Sequence, residues 1–123
     1  MLTRRITGHV EHAISRTAQR AWAYVVFNAS SGTPTPVASY NLSSITDNGV
    51  GDFTLNWVNG FRTANAPYIS MARSNTAGGP STTGIKEGTT PTAAAVNITT
   101  ALDTASHTVE DVLRGGMYGF SDY

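Results

Sequence analysis

The chain has 123 residues, enough for one domain that buries roughly two-thirds of the surface its unfolded form exposes. Charged side chains make up 13%, eight basic and eight acidic with a formal net charge of zero, so there is no broad phosphate-binding surface and nucleic acid is excluded as a main partner. There is no cysteine, which removes disulfides and thiolate metal sites and leaves the redox compartment undetermined.

At the N-terminal end Leu2, Ile6, Val10 and Ile14 recur at every fourth position, the spacing of a helical apolar stripe, with Arg4, Arg5, Glu11, His12 and Arg16 off it. Gly8 and the β-branched Thr3, Ile6, Thr7 and Val10 weaken helix propensity, so a short amphipathic helix and an extended arm both stay open. The segment lacks the long apolar stretch of a signal peptide, and no apolar run approaches the roughly 18 residues of a membrane span. The expectation is a protein made in a cytoplasm, with no membrane span.

From Arg20 the period changes to two. Trp22, Tyr24 and Val26 alternate with Ala21, Ala23, Val25 and Phe27, as in a strand with two partly buried faces. Ser30 to Pro36 is turn chemistry, after which Val37, Ser39, Asn41 and Ser43 oppose Ala38, Tyr40, Leu42 and Ser44, with the Tyr40 and Leu42 face expected to point inward. Asp47, Asn48, Gly49 and Gly51 tolerate positive φ, and Phe53, Leu55 and Trp57 alternate with Thr54, Asn56 and Val58 immediately after, so Tyr40 to Val58 reads as a β-hairpin. Trp22, Tyr40, Leu42, Phe53, Leu55 and Trp57 are the expected core.

Pro67 to Ser74 makes another strand, with Tyr68, Ser70 and Ala72 on one face and Ile69, Met71 and Arg73 on the other. Asn75 to Pro91, with its four glycines and two prolines, is mostly loop with a short strand near Thr83 to Lys86. Thr92 to Leu102 is strand-like, and Met117, Tyr118 and Phe120 mark a terminal strand. The polar half of the composition is Ser, Thr, Asn and Gly rather than Lys and Glu, which favours strands and turns. The expected fold is all-β, a small antiparallel β-sandwich or barrel of about six strands, with residues 1–19 as an N-terminal docking arm or short helix and 20–123 as the domain.

Between Arg20 and Trp57 the pairs Ala21-Trp22 and Phe27-Asn28, the run Ser39-Tyr40-Asn41, the run Ser43 to Gly49 (SSITDNG) and the run Gly51-Asp52-Phe53 stand at a characteristic spacing. This stretch resembles a segment of the β-domain found in bacteriophage tail-fibre and small virion structural proteins. Pro67-Tyr68 and the closing Met117 to Phe120 resemble the strands that follow. The strong likeness covers about a third of the chain and a weaker one about two-thirds. It implies a compact β-domain in a particle, often trimeric, with no catalytic residue. The Gly119-Phe120-Ser121-Asp122-Tyr123 ending and the N-terminal arm without a long shaft depart from the pattern. A fibre tip, a short fibre and a capsid decoration are all compatible with them.

Other constellations have plainer readings beside the chemical ones. Asp47, Asn48 and Asp52 cluster oxygens as a calcium loop would, but their spacing is not that of an EF-hand, and a hairpin turn accounts for them. His9 and His12 with Glu11 lack a third ligand. His107 near Glu110 and Asp111 has the makings of a general base with a carboxylate, yet no nucleophile elbow accompanies it. The aromatic residues Trp22, Tyr40, Phe53, Tyr68 and Trp57 offer flat faces for sugars, against which their regular alternation argues for core.

The expected function is therefore a non-enzymatic bacteriophage virion structural protein, a short tail fibre or tail component displayed for host attachment, with a capsid decoration or cement protein as the alternative. Leu2, Arg4, Arg5, Ile6, Val10 and Ile14 are the expected docking residues. Tyr118, Phe120 and Tyr123 are the expected subunit interface, because an aromatic terminus needs a neighbouring subunit as cover. Expected partners are further copies of the chain, as a homotrimer, other virion proteins of the tail, baseplate or major capsid, and a host surface glycan. No cofactor and no metal is implied.

Overall fold

The structure, a computed structural model, describes residues 21–74, 81–102 and 108–120. Among the described residues it is a sandwich of two four-stranded antiparallel sheets, eight strands rather than about six. In chain order these are β1 (Ala21–Asn28), β2 (Thr35–Tyr40), β3 (Leu42–Gly49), β4 (Asp52–Trp57), β5 (Tyr68–Arg73), β6 (Ser81–Ile85), β7 (Ala95–Leu102) and β8 (Arg114–Phe120). Sheet A runs β2-β1-β8-β5 and sheet B runs β3-β4-β7-β6. The expected arm, residues 1–19, lies outside the described residues, as do His9, His12 and His107.

The core comes from the two middle strands of each sheet. Ala23, Val25 and Phe27 of β1 and Met117 of β8 face Phe53, Leu55 and Trp57 of β4 and Val96 and Ile98 of β7, all fully or nearly fully buried. The alternation seen in the sequence explains this: β1 and β4 bury every second residue, as a strand with one inward face must. The ring of Phe27 meets that of Phe53 edge-on with centroids 5.4 Å apart, joining the sheets. A Cβ on Gly115 would lie 2.3 Å from the Phe27 ring, so only glycine leaves room for that phenylalanine. A second cluster at one end stacks Trp57 on Tyr68 and sets Phe61 edge-on to both.

Tyr40 is the main correction. It was expected in the core beside Leu42, but it is 60% exposed and belongs to sheet A, whereas Leu42 starts β3 in sheet B and packs partly buried against the core. The reason is Asn41, whose positive φ of 60° turns the chain from one sheet to the other and breaks the alternation. Its side chain anchors the corner: Oδ1 accepts the Asn59 N–H at 2.7 Å, and Nδ2 donates to the Asn59 carbonyl at 2.8 Å. The hairpin is therefore β3-β4 and excludes Tyr40. Trp22 is also only partly buried, donating from its indole to the Asn59 carbonyl at 3.3 Å.

The buried polar groups are satisfied locally. Thr100 Oγ1 donates to the Glu110 carbonyl and Thr83 Oγ1 to the Met71 carbonyl, the latter tying β6 to β5 across the sandwich edge. Gly51, at φ 63°, donates its N–H to Asp111 Oδ1 at 2.8 Å, and a Cβ there would lie 2.5 Å from the Thr100 carbonyl. The glycine in the turn is thus required both by conformation and by close approach.

These placements predict a graded set of melts. Trp57→Ala should cost about 3–5 kcal/mol by loss of a buried aromatic, and Gly115→Ala about 1–3 kcal/mol by overpacking against Phe27. Tyr40→Ala, at an exposed cross-strand position, should cost under about 1 kcal/mol. Thermal denaturation checks all three, and a Tyr40 loss as large as that of Trp57 would return Tyr40 to the core.

A second expectation concerns alkaline pH. Burial raises the Tyr68 phenol above its ordinary value of 10.0, with the hydrogen bond from the Trp57 indole acting weakly in the opposite sense. The folded state thus holds the phenolic proton more tightly than the unfolded one. The stability this contributes is present below the ordinary value and is lost as pH rises through the raised one. Unfolding free energy measured by denaturant titration should fall above about pH 10, and Tyr68→Phe should flatten that fall.

Candidate interaction surface

The outer faces of the two sheets differ in kind. On sheet B the outward positions of neighbouring strands are Thr46, Thr54 and Asn97 in one row and Ser44, Asn56 and Ala95 in the next. They hydrogen-bond one another: Thr54 Oγ1 donates to Asn97 Oδ1 at 2.9 Å, and Asn56 Nδ2 donates to Ser44 Oγ and Thr46 Oγ1, each at 3.1 Å. A face of short, mutually satisfied polar side chains is suited to water.

Sheet A has the opposite chemistry. Because β1 points Ala23, Val25 and Phe27 inward, it points Tyr24 and Val26 outward, and the register carries that choice across the sheet. One row reads Tyr40, Tyr24, Tyr118, Ile69, and the next reads Ala38, Val26, Gly116, Met71. The Tyr24 ring is stacked on Tyr118 with centroids 5.5 Å apart and on Tyr40 at 6.5 Å, with interplanar angles of 17° and 22°. Ile69 is 61% exposed and Met71 55%, the latter lying over Gly116, where a Cβ would meet its Cγ at 2.6 Å. At the end of this face Arg73 and Arg114 stand opposite each other on β5 and β8, both exposed. Like charges placed directly across a strand pair disfavour the isolated sheet.

The stacking bears on sugar binding. A pyranose needs an open ring face, whereas the Tyr24 ring is stacked with both Tyr40 and Tyr118. Tyrosine, methionine and arginine, all present on this face, are residue types enriched at protein–protein contacts.

Of the expected interface residues, Tyr118 sits in the middle of the aromatic row, Phe120 is partly buried two positions further along β8, and Tyr123 lies outside the described residues. Leu2, Arg4, Arg5, Ile6, Val10 and Ile14 also lie outside them. The structure adds Tyr24, Ile69, Met71, Arg73 and Arg114, which the sequence reading did not single out. Their signal was available in part: β5 reads apolar on both faces, and so does β1.

The turn with calcium-like oxygens is occupied by its own bonds. Asp47 Oδ1 accepts the Gly49 N–H at 2.9 Å, Asn48 Nδ2 donates to Thr54 Oγ1 at 2.9 Å, and Asp52 pairs with Lys86. Among the described residues no group of three or more His, Cys, Asp or Glu is placed to hold a metal ion. Glu110 and Asp111 also serve the fold, Glu110 accepting from the hydroxyls of Ser74 and Ser81 and Asp111 from Gly51. Addition of calcium at about 5 mM should therefore move the melting temperature by less than about 1 °C, whereas a site bound on folding would raise it with concentration.

The architecture defines a class: an antiparallel β-sandwich with one polar and one aromatic outer face. No family model, curated protein or solved structure matches the chain.

Proposed function

We propose that this chain is a non-enzymatic structural protein of a bacteriophage virion, a short tail fibre or tail component that joins its assembly through the outer face of sheet A. The observation that carries the reading is the row Tyr40, Tyr24, Tyr118, Ile69 on an outer face, beside a second sheet whose outer face carries hydrogen-bonded Thr, Asn and Ser side chains. Large exposed apolar rows mark surfaces that meet a partner. The resemblance of Arg20 to Trp57 to virion β-domains supplies the kind of assembly, and Asn41 of its Ser39-Tyr40-Asn41 run is the residue that turns the chain between sheets. The capsid decoration reading uses the same surface and differs only in what it meets.

Localisation on purified particles tests the proposal. An antibody against the chain should label the tail in immunogold micrographs, label on the capsid shell would select the decoration reading, and complete particles without the chain would overturn both. A particle carrying Ala38→Glu, a charge set into the aromatic face at an exposed position, should show at least a tenfold loss of incorporation.

A further inference from the structure

The rows of the sheet A outer face alternate in height. Tyr40, Tyr24 and Tyr118 form a ridge, and the row beside it is a furrow at Ala38 and Val26, closed at its far end where the flexible Met71 lies over Gly116. A surface with one ridge and one adjacent furrow is complementary to itself when turned by a two-fold axis that runs across the strands between them. We propose that this face docks a second copy of the same chain in that way, each tyrosine ridge seated in the other copy's furrow. The inference rests on the reading of this face as an interaction surface and names its occupant.

Charge selects the orientation. The axis across the strands carries Arg73 and Arg114 of each copy to the end of the other where β8 presents Phe120 at the next outward position beyond Tyr118. That sets guanidinium groups near an aromatic ring and keeps the two arginine pairs apart. An axis along the strands would instead bring four arginines together at one end, which the absence of any ion pair for Arg73 or Arg114 among the described residues leaves uncompensated. A three-fold arrangement is less suited, because a heterologous contact needs two different matching patches, and the other sheet's outer face is polar.

Edge pairing is also hindered on β2. Pro36 cannot donate to a further strand, and the β1-β2 register shifts between Val26 and Phe27. The β2 edge, which borders the tyrosine row, thus favours contact through the face over strand addition. The size of the face sets the strength: four strands about 4.8 Å apart and about seven residues long give a flat footprint on the order of 450 Å² per copy. A standard stable interface buries roughly 800 Å² of accessible surface per partner. The dimer is accordingly weak alone and is favoured where copies are held close, as in a particle.

Sedimentation equilibrium of the full chain is the test. The mass should rise from 13.0 kDa toward twice that value between about 1 and 500 μM, as a contact of this size implies. Ala38→Glu and, on the opposite edge strand, Met71→Glu should each weaken association at least tenfold while leaving the melting temperature within about 2 °C. Thr82→Glu, at an exposed position of sheet B, should leave it unchanged. A constant mass near 13.0 kDa overturns the proposal, as does a limiting mass of three copies or association indifferent to both face variants. A monomer whose Ala38→Glu variant is still lost from particles would remove the second copy and keep the interaction surface. Indifference of both mass and incorporation would remove both.

Discussion

Phe27 can set the far end of its ring against β8 only because residue 115 has no side chain, and from that position its ring reaches Phe53 on the opposite sheet. The contact sets how closely the sheets approach and which side of β1 faces inward. Strand side chains alternate strictly, so Phe27 inward means Val25 and Ala23 inward, and Val26 and Tyr24 outward. Pairing then transmits the choice: Tyr24 outward fixes Tyr118 and Tyr40 outward beside it, and Tyr118 fixes Ile69. The aromatic outer face is thus a consequence of where the core glycine stands, since moving the register by one residue would exchange the two faces of every strand in sheet A.

This dependence explains which parts could be read from residue order. Strands with one buried face, β4 and β7, announce themselves by alternation, and the faces assigned to β5 from its sequence are those it presents. What alternation cannot show is a change of sheet. Val37 to Ser44 keeps an unbroken period of two, yet Asn41 ends one strand and begins another on the opposite layer. The sole cue in the residue order is a type tolerant of positive φ inside a strand pattern, and asparagine is also common in ordinary polar faces. Tyr40 was misplaced for that reason alone. The interaction surface was legible only in its Tyr118 and Phe120 corner, because assembling the row needs the pairing of β1 with β8, nearly a hundred positions apart in the chain.

The two outer faces solve different problems with similar backbones. On sheet B the outward Thr54, Asn97, Asn56, Ser44 and Thr46 bond one another, which holds that part of the face without fixed charge. With only 13% charged residues, the chain has few ionised groups to spread over its surface. Such a molecule keeps water at one face by hydroxyls and amides, and has little to keep another protein away from the second. Sparse charge lowers the long-range repulsion between copies, and the two arginines at one end of sheet A then have more say in orientation than they would on a crowded surface.

The stacked tyrosines add a structural step to the same point. Ring-on-ring contact between Tyr40, Tyr24 and Tyr118 recovers part of the apolar burial that an outward position forfeits, so the row is tolerable in an isolated chain and need not unfold it. It also fixes each ring by its neighbours, which reduces the rotamer freedom left to lose when a partner arrives. A ridge that is already ordered before contact gives up less entropy on docking than three independent side chains would. The feature that lets sheet A stand in water therefore also prepares it to leave water, and the polar ladder of sheet B, with its hydrogen bonds already closed among themselves, offers a partner no comparable gain.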